Sequence, residues 1–146
     1  MLKDKKIAII GTGNMGEALV SGLIASESSN PENIICTDVR KDKLESVKEK
    51  YGVITLTNNI EAVEISDIVI YAVKPQIIAS VLKETTSCLD MSKLIISIAA
   101  GVPLAAIASC LKKELRLIRV MPNIAAFVKE SASVIAAGDS ATEEDI

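Results

Sequence analysis

At 146 residues and 15.5 kDa the chain is the size of one ordinary domain, and 49% hydrophobic with 24% charged residues is a folding composition, not a disordered, collagen-like or low-complexity one. A formal charge of −3, a pI near 5.1 and aromatic rings only at Tyr51, Tyr71 and Phe127 argue against a nucleic-acid groove, which needs basic and stacking surface, and leave small molecules as the expected partners. The absence of histidine removes imidazole acid–base catalysis, Ser-His-Asp triads and histidine metal sites, so no metal ligand and no catalytic residue is assigned.

Lys6 to Ile10 reads as a short strand, and Asn14 to Ser26 as a helix with its apolar residues on one stripe. Asn33 to Thr37 is a second strand, followed by a helix over Lys41 to Tyr51 with Leu44, Val47 and Tyr51 at helical spacing and Gly52 as its stop. Val53 to Thr55 fits a third strand, Asn59 to Ile65 a short helix, and Ile68 to Val73 a fourth strand stopped by Lys74-Pro75. A helix over Gln76 to Thr86, a strand over Leu94 to Ala99, a helix over Leu104 to Leu111 and a strand over Leu115 to Met121, ended by Pro122, complete the alternation, with Ser133 to Ala137 as an edge strand. Short apolar strands without strict alternation are buried on both faces, the mark of parallel strands under crossover helices. The expected fold is α/β: one doubly wound, mainly parallel Rossmann sheet with helices on both faces, spanning residues 1–146.

The uncharged run from Leu94 to Leu111, about 18 residues, has the length of a membrane span. Gly101-Val102-Pro103 divides it into strand, turn and helix, so no membrane partner is expected. The apolar stretch Ile7 to Ile10 is too short for a signal peptide. Cys36, Cys88 and Cys110, odd in number and each among apolar neighbours, read as reduced core thiols of a cytoplasmic protein. The closing run Ala141 to Ile146 resembles a helix start, with Thr142 as cap and Glu143 to Asp145 facing the positive end of the dipole. Such a start without a body is expected either where the polypeptide is part of a longer one or where it ends in a frayed acidic tail.

Gly11-Thr12-Gly13-Asn14-Met15-Gly16 places G-x-G-x-x-G between the first strand and the first helix, the context a dinucleotide fingerprint requires. Gly11 permits the tight turn, Gly13 lets a diphosphate approach the main chain, and Gly16 lets helix and strand pack closely; the helix N-terminus supplies N–H groups and partial positive charge. Asp38 stands about 20 residues further on, where a ribose-reading side chain is expected. It would accept from the ribose hydroxyls of NAD, whereas Arg40 and Lys41 would pair with the 2′-phosphate of NADP, and a solvated turn capping the next helix is a third reading. Three further segments stand at the carboxyl ends of parallel strands: Ala72-Val73-Lys74-Pro75, Ser97 to Gly101, and Arg119 to Asn123. Ala99, Ala100 and Gly101 are small enough to admit a flat ring against the backbone, and Asn123 offers an amide on the same rim.

Taken together, GTGNMG, AVKP, SIAAGV and RVMPN in this order and spacing resemble the N-terminal domain of pyrroline-5-carboxylate reductases over nearly the whole chain. The resemblance implies an oxidoreductase of proline biosynthesis in which NADPH or NADH, NADPH being favoured, reduces the C=N bond of a small cyclic imino acid, 1-pyrroline-5-carboxylate. It implies that Gly11, Thr12, Gly13, Asn14 and Met15 take the diphosphate, Thr37, Asp38 and Arg40 the adenosine ribose, and Asn59 the adenine side. Ala72, Val73 and Lys74 with Ala99, Ala100 and Gly101 would flank the nicotinamide, and Asn123 the substrate rim. In that family a helical C-terminal domain follows and builds a homo-oligomer; this chain lacks it and is expected to turn over poorly alone. One departure stands beside the rim, where Ile124-Ala125-Ala126 replaces the family's usual Thr-Pro-Ala. A dehydrogenase of the β-hydroxyacid type and a non-catalytic nucleotide-binding relative are the alternative readings.

Overall fold

The computed structural model describes residues 2–111, 113–122 and 133–146. Its strands are β1 (Ile7–Ile10), β2 (Ile34–Thr37), β3 (Ile54–Leu56), β4 (Ile68–Tyr71), β5 (Leu94–Ser97), β6 (Arg116–Pro122) and β7 (Ser133–Ala137). The helices are α1 (Asn14–Ala25), α2 (Lys41–Tyr51), α3 (Asn59–Glu64), α4 (Ile78–Thr85) and α5 (Leu104–Leu111). One seven-stranded sheet results, in the order β3-β2-β1-β4-β5-β6-β7. Strands β1 to β6 run parallel and β7 returns antiparallel along β6. This is the expected doubly wound Rossmann architecture.

Every residue of β1, β2 and β4 is buried, and successive side chains go to opposite faces. Ala8, Ile10, Val69 and Tyr71 meet α3, α4 and α5 through residues such as Val63, Leu82 and Ile107. Ile7, Ile9, Ile68 and Ile70 meet α1 and α2 through Val20, Leu44 and Val47. Two cores on the two sides of one sheet explain why the central strands read as continuous apolar runs. The outermost strands obey another rule: β3 is partly exposed and β7 exposed throughout, because each has a neighbour on one edge only.

Several elements are shorter than their hydrophobic patterns. Strand β4 ends at Tyr71 and β5 at Ser97, two residues earlier than expected, because the chain leaves the sheet while Ala99 is still buried. Helix α4 begins at Ile78, since Lys74 to Ile77 closes a turn in which the Ile77 N–H donates to the Lys74 carbonyl at 3.1 Å. Strand β6 runs through Pro122, paired with Ser133 of β7; its register with β5 extends only to Arg119, so the donor that proline lacks is not needed on that side. Of the three cysteines only Cys36 is buried, which pushes its thiol up to about 12; Cys88 and Cys110 are half-buried on helical surfaces, which corrects the reading of three core thiols.

The expected C-terminal helix start is a single 3-10 turn, Glu143–Asp145. It is anchored, not frayed: Asp145 forms an ion pair with Arg116 of β6 and accepts the Thr142 N–H at 2.8 Å. Among the described residues no helix is long and apolar enough to cross a membrane; Leu94 to Leu111 is divided by a turn at Gly101, whose φ is +71°.

Candidate dinucleotide site

Parallel register brings the strand ends into one row. Leu56 pairs with Thr37, Thr37 with Ile10, Ile10 with Tyr71, Tyr71 with Ser97, and Ser97 with Arg119. The loops that follow therefore leave from one edge, and the order in which the chain lays down its strands reverses between β1 and β4, the place where open sheets of this kind form a crevice. The loops after β1 and β4 meet there.

The three glycines of the fingerprint have different reasons to be glycine. Gly11 sits at φ +93°, and a Cβ on it would come within 2.9 Å of Val73 Cγ1 and 3.0 Å of the Ala72 carbonyl oxygen. Its N–H donates to the Thr37 carbonyl at 3.0 Å, tying the turn to β2. Gly16 is buried in α1 against the turn. Gly13, the N-cap of α1, has an ordinary φ of −71°, and a Cβ there would meet nothing within 4 Å. The fold does not require that glycine; a Cβ would fill only the open space in front of the helix.

Among the described residues no side chain caps α1, in contrast to α3, where Asn58 accepts from the Ile60 and Glu61 N–H groups. The free N–H groups and dipole of α1 thus face the open space before Gly13, a fit for a diphosphate. Glu17, in the first turn, does not oppose an anion: Lys43 and Lys50 hold it, their hydrogen bonds lowering its pKa to about 2 against the effect of burial.

Beside the crevice the polar side chains form a chain. Thr12 Oγ1 donates to the Thr37 carbonyl at 2.8 Å, Thr37 Oγ1 donates to Asn59 Oδ1 at 2.6 Å, and Asn59 Nδ2 donates to Glu84 Oε2 at 3.2 Å. Thr37 is buried and its hydroxyl points inward, so Thr37 and Asn59 brace the ends of β2 and α3. Asp38 accepts the Thr12 N–H at 3.0 Å, the Arg40 N–H at 2.9 Å and Arg40 Nε at 3.3 Å. Burial raises its pKa, but these donors outweigh that and hold it below the usual carboxylate range. It does not cap α2, whose N-cap residue is Arg40.

A cleft of about 100 Å3 lies on the α4 side of the edge, lined among others by Gly11, Asp38, Val39, Asn59, Val73 and Ile77. A wider apolar groove of about 620 Å3 lies on the α1 side, between Met15, Ala18 and Leu19 and the strand-end residues Ile98, Val120 and Pro122. Gly11, Asp38, Asn59 and Val73 are thus brought together, with Ala72 packed behind Gly11, while Met15 faces the groove and exposed Asn14 the outer side of α1. Lys74 and Pro75 lie exposed in the turn before α4, Ala100 and Gly101 in the loop after β5 beside buried Ala99. Nε of Arg119, in the strand-end row, is buried and meets no hydrogen-bond partner among the described residues. Asn123 and the Ile124-Ala125-Ala126 departure lie outside the described residues.

Val39, Thr57, Ile77 and Val81 also line the cleft, and the sequence reading missed them. One signal was available: Val39, 96% exposed, is an apolar residue stranded among charges.

Residues 6–101 match the model of the family described as NADP oxidoreductase, coenzyme F420-dependent. The chain belongs to this family. The chain is 46% identical over 145 residues to the pyrroline-5-carboxylate reductase of Methanosarcina acetivorans, covering 99% of this chain and 54% of that protein. The solved pyrroline-5-carboxylate reductase of Coxiella burnetii superposes with a TM-score of 0.91 at 36% identity, covering 96% of this chain and 52% of that one. The Plasmodium falciparum pyrroline carboxylate reductase, solved with NADP bound, gives 0.87 at 27% identity over 98% of this chain and 52% of that one. The resemblance to the N-terminal domain of pyrroline-5-carboxylate reductases is therefore real across nearly the whole chain. The chain spans about half the length of the curated relatives it matches.

Proposed function

We propose that the chain is the dinucleotide-binding domain of a cytoplasmic, NAD(P)H-dependent reductase that converts 1-pyrroline-5-carboxylate to L-proline. The observation that carries this reading is the 46% identity to the Methanosarcina acetivorans reductase over 99% of the chain, together with an uncapped glycine turn whose open face suits a diphosphate. NADPH or NADH is the coenzyme, and the NADP bound in the Plasmodium falciparum relative favours NADPH. The substrate and a homo-oligomer built through a C-terminal helical domain follow from the same kinship, and reduced thiols agree with a cytoplasmic setting.

When bound, the coenzyme supplies a hydride to the substrate's C=N carbon. The chain's own part is to bind and orient. The main-chain N–H groups of Gly13 to Gly16 hold the diphosphate, and the loop after β2 holds the adenosine. Ala72 and Val73, with Ala99, Ala100 and Gly101, offer small side chains and backbone to a flat ring. Lack of histidine is no obstacle, since a protonated cyclic imine is already electrophilic and the protein mainly fixes distance and angle. The test follows coenzyme absorbance when the natural gene product that carries this chain is given the imine. Oxidation of NADPH or NADH is expected; a product that binds dinucleotide and turns over with neither overturns the assignment.

A further inference from the structure

We propose that Glu84 of α4 is a positioning residue for the dinucleotide site: it fixes the amide of Asn59, and through Asn59 and Thr37 it holds the glycine turn in its binding geometry. This rests on the dinucleotide reading above and deepens it by naming a residue that acts on the turn without touching the ligand.

Asn59 is the first residue of α3, but the helix start does not need its side chain, because Asn58 already accepts the free N–H groups there. Its amide reaches two other elements instead. Oδ1 accepts the Thr37 hydroxyl of β2 at 2.6 Å, and Nδ2 donates to Glu84 Oε2 of α4 at 3.2 Å. The oxygen and nitrogen ends of an asparagine amide have nearly the same shape, so packing alone does not choose between its two orientations. Glu84 decides the matter. An ionised carboxylate only accepts, so it draws the nitrogen end and leaves the oxygen end for Thr37. The reversed amide would set its NH2 against the Thr37 hydroxyl, and the proton of a residue that is 1% exposed would lose its acceptor.

Thr37 is where the glycine turn is attached. Its carbonyl accepts both the Gly11 N–H at 3.0 Å and the Thr12 hydroxyl at 2.8 Å. From Thr12 to Thr37, Asn59 and Glu84 each side chain donates to the next residue, so the series is polarised in one direction and ends on its one charged member.

The place of Glu84 on α4 agrees. Ile77, Val81 and Glu84 recur at helical spacing, and the first two line the small cleft together with Gly11 and Asn59. Among the described residues Glu84 forms no ion pair, so no cation accounts for its charge. A carboxylate beside a cleft that admits a dinucleotide disfavours the anion by charge alone. Charge and positioning therefore predict opposite signs when the carboxylate is removed.

The experiment is calorimetric titration of the 146-residue chain with NADPH and NADH, carried out on the parent, Glu84→Ala, Glu84→Gln, Asn59→Ala and the double variant Glu84→Ala/Asn59→Ala. Glu84→Ala is expected to weaken both coenzymes by about threefold to tenfold. Glu84→Gln, whose amide oxygen still accepts from Asn59, should keep at least about half of the parent affinity. In the Asn59→Ala background, loss of Glu84 should weaken binding no further, since the residue through which it acts is gone. Glu84 is exposed, so both of its single variants should melt close to the parent when no ligand is bound. Asn59→Ala takes an acceptor from a buried hydroxyl and can unfold the chain, so a second readout uses the Glu84 variants alone. The side-chain amide peaks of Asn59 in a 15N–1H spectrum should move more in Glu84→Ala than in Glu84→Gln. Unchanged or tighter binding by Glu84→Ala, the same loss with or without Asn59, a glutamine variant as weak as the alanine one, or Asn59 peaks that stay in place overturns the proposal while leaving the dinucleotide reading intact. Failure of the parent chain to bind either coenzyme overturns both.

Discussion

Gly16 packs so closely on Gly11 that a Cβ built on it would stand 2.2 Å from the Gly11 carbonyl oxygen. No side chain fits that gap, and the obstructing atom is backbone, which cannot rotate aside. Gly16→Ala must therefore displace α1 from the end of β1, with an expected loss of about 2–4 kcal/mol. Gly13→Ala should be much milder: its backbone is ordinary and its surroundings are open, so stability falls by only about 0.5–1 kcal/mol, roughly the Gly-to-Ala difference at an N-cap. Dinucleotide affinity nonetheless falls more than about tenfold, since the added methyl occupies the approach to the main chain. Urea unfolding and calorimetry on the two variants check the pair, and equal effects of both on stability would contradict it.

Tyr71 OH and Thr85 Oγ1 lie 2.6 Å apart in the core, and Thr85 gives its only hydroxyl proton to the Val81 carbonyl at 2.9 Å. Tyr71 is therefore the donor of the pair; burial, outweighing the effect of its hydrogen bond with Thr85, pushes its phenol up to about 12. Tyr71→Phe removes one donor and strands no second buried proton, so it should cost about 1 kcal/mol. A loss above about 3 kcal/mol in chemical denaturation would mean that the hydroxyl does more than bridge β4 to α4.

Glu17 joins α1 to α2 through Lys43 and Lys50. Those hydrogen bonds lower its pKa from 4.5 to about 2, so its stabilising contribution is complete above pH 4.5 and is lost as pH falls toward 2. At neutral pH Glu17→Gln should be less stable than the parent by about 1 kcal/mol, a modest value because Lys50 is largely exposed. The two proteins should converge near pH 2. Unfolding free energies measured across that interval test the sign, and a gap that widens on acidification would refute it.

Asn58 caps α3, accepting the Ile60 N–H at 2.9 Å and the Glu61 N–H at 3.4 Å. Asn58→Ala leaves those donors to solvent and should lower stability by about 1 kcal/mol. Asn58→Asp should retain the cap, so a melting temperature as low as that of the alanine variant would show that the side chain acts in another way.

The alternation of strand and helix was legible because each central strand is apolar throughout and each helix carries one apolar stripe; Lys41 to Tyr51 and Leu104 to Leu111 were bounded to the residue. Turn chemistry marked those ends, as at Gly52, whose φ of +71° a glycine adopts without strain. Strand ends at the crevice were harder. Val73 and Ala99 look like strand because they are apolar, and they are apolar because they pack beneath loops. Burial and sheet pairing are different causes with the same sequence signature.

Local spacing alone dictated the fingerprint: G-x-G-x-x-G between a strand and a helix is a property of neighbours in the chain, and so is a reading of its likeness to a family. Which way Asp38 faces is not. Its partners are Thr12, across the sheet, and Arg40, and only the parallel register of β1 with β2 brings the glycine turn within reach of that carboxylate. The bracing of Thr37 by Asn59 and the meeting of Val39 with Ile77 in one cleft arise in the same manner, from strand order. A motif can be recognised from adjacency, but a hydrogen bond between residues far apart in the chain exists only once the sheet has set them side by side.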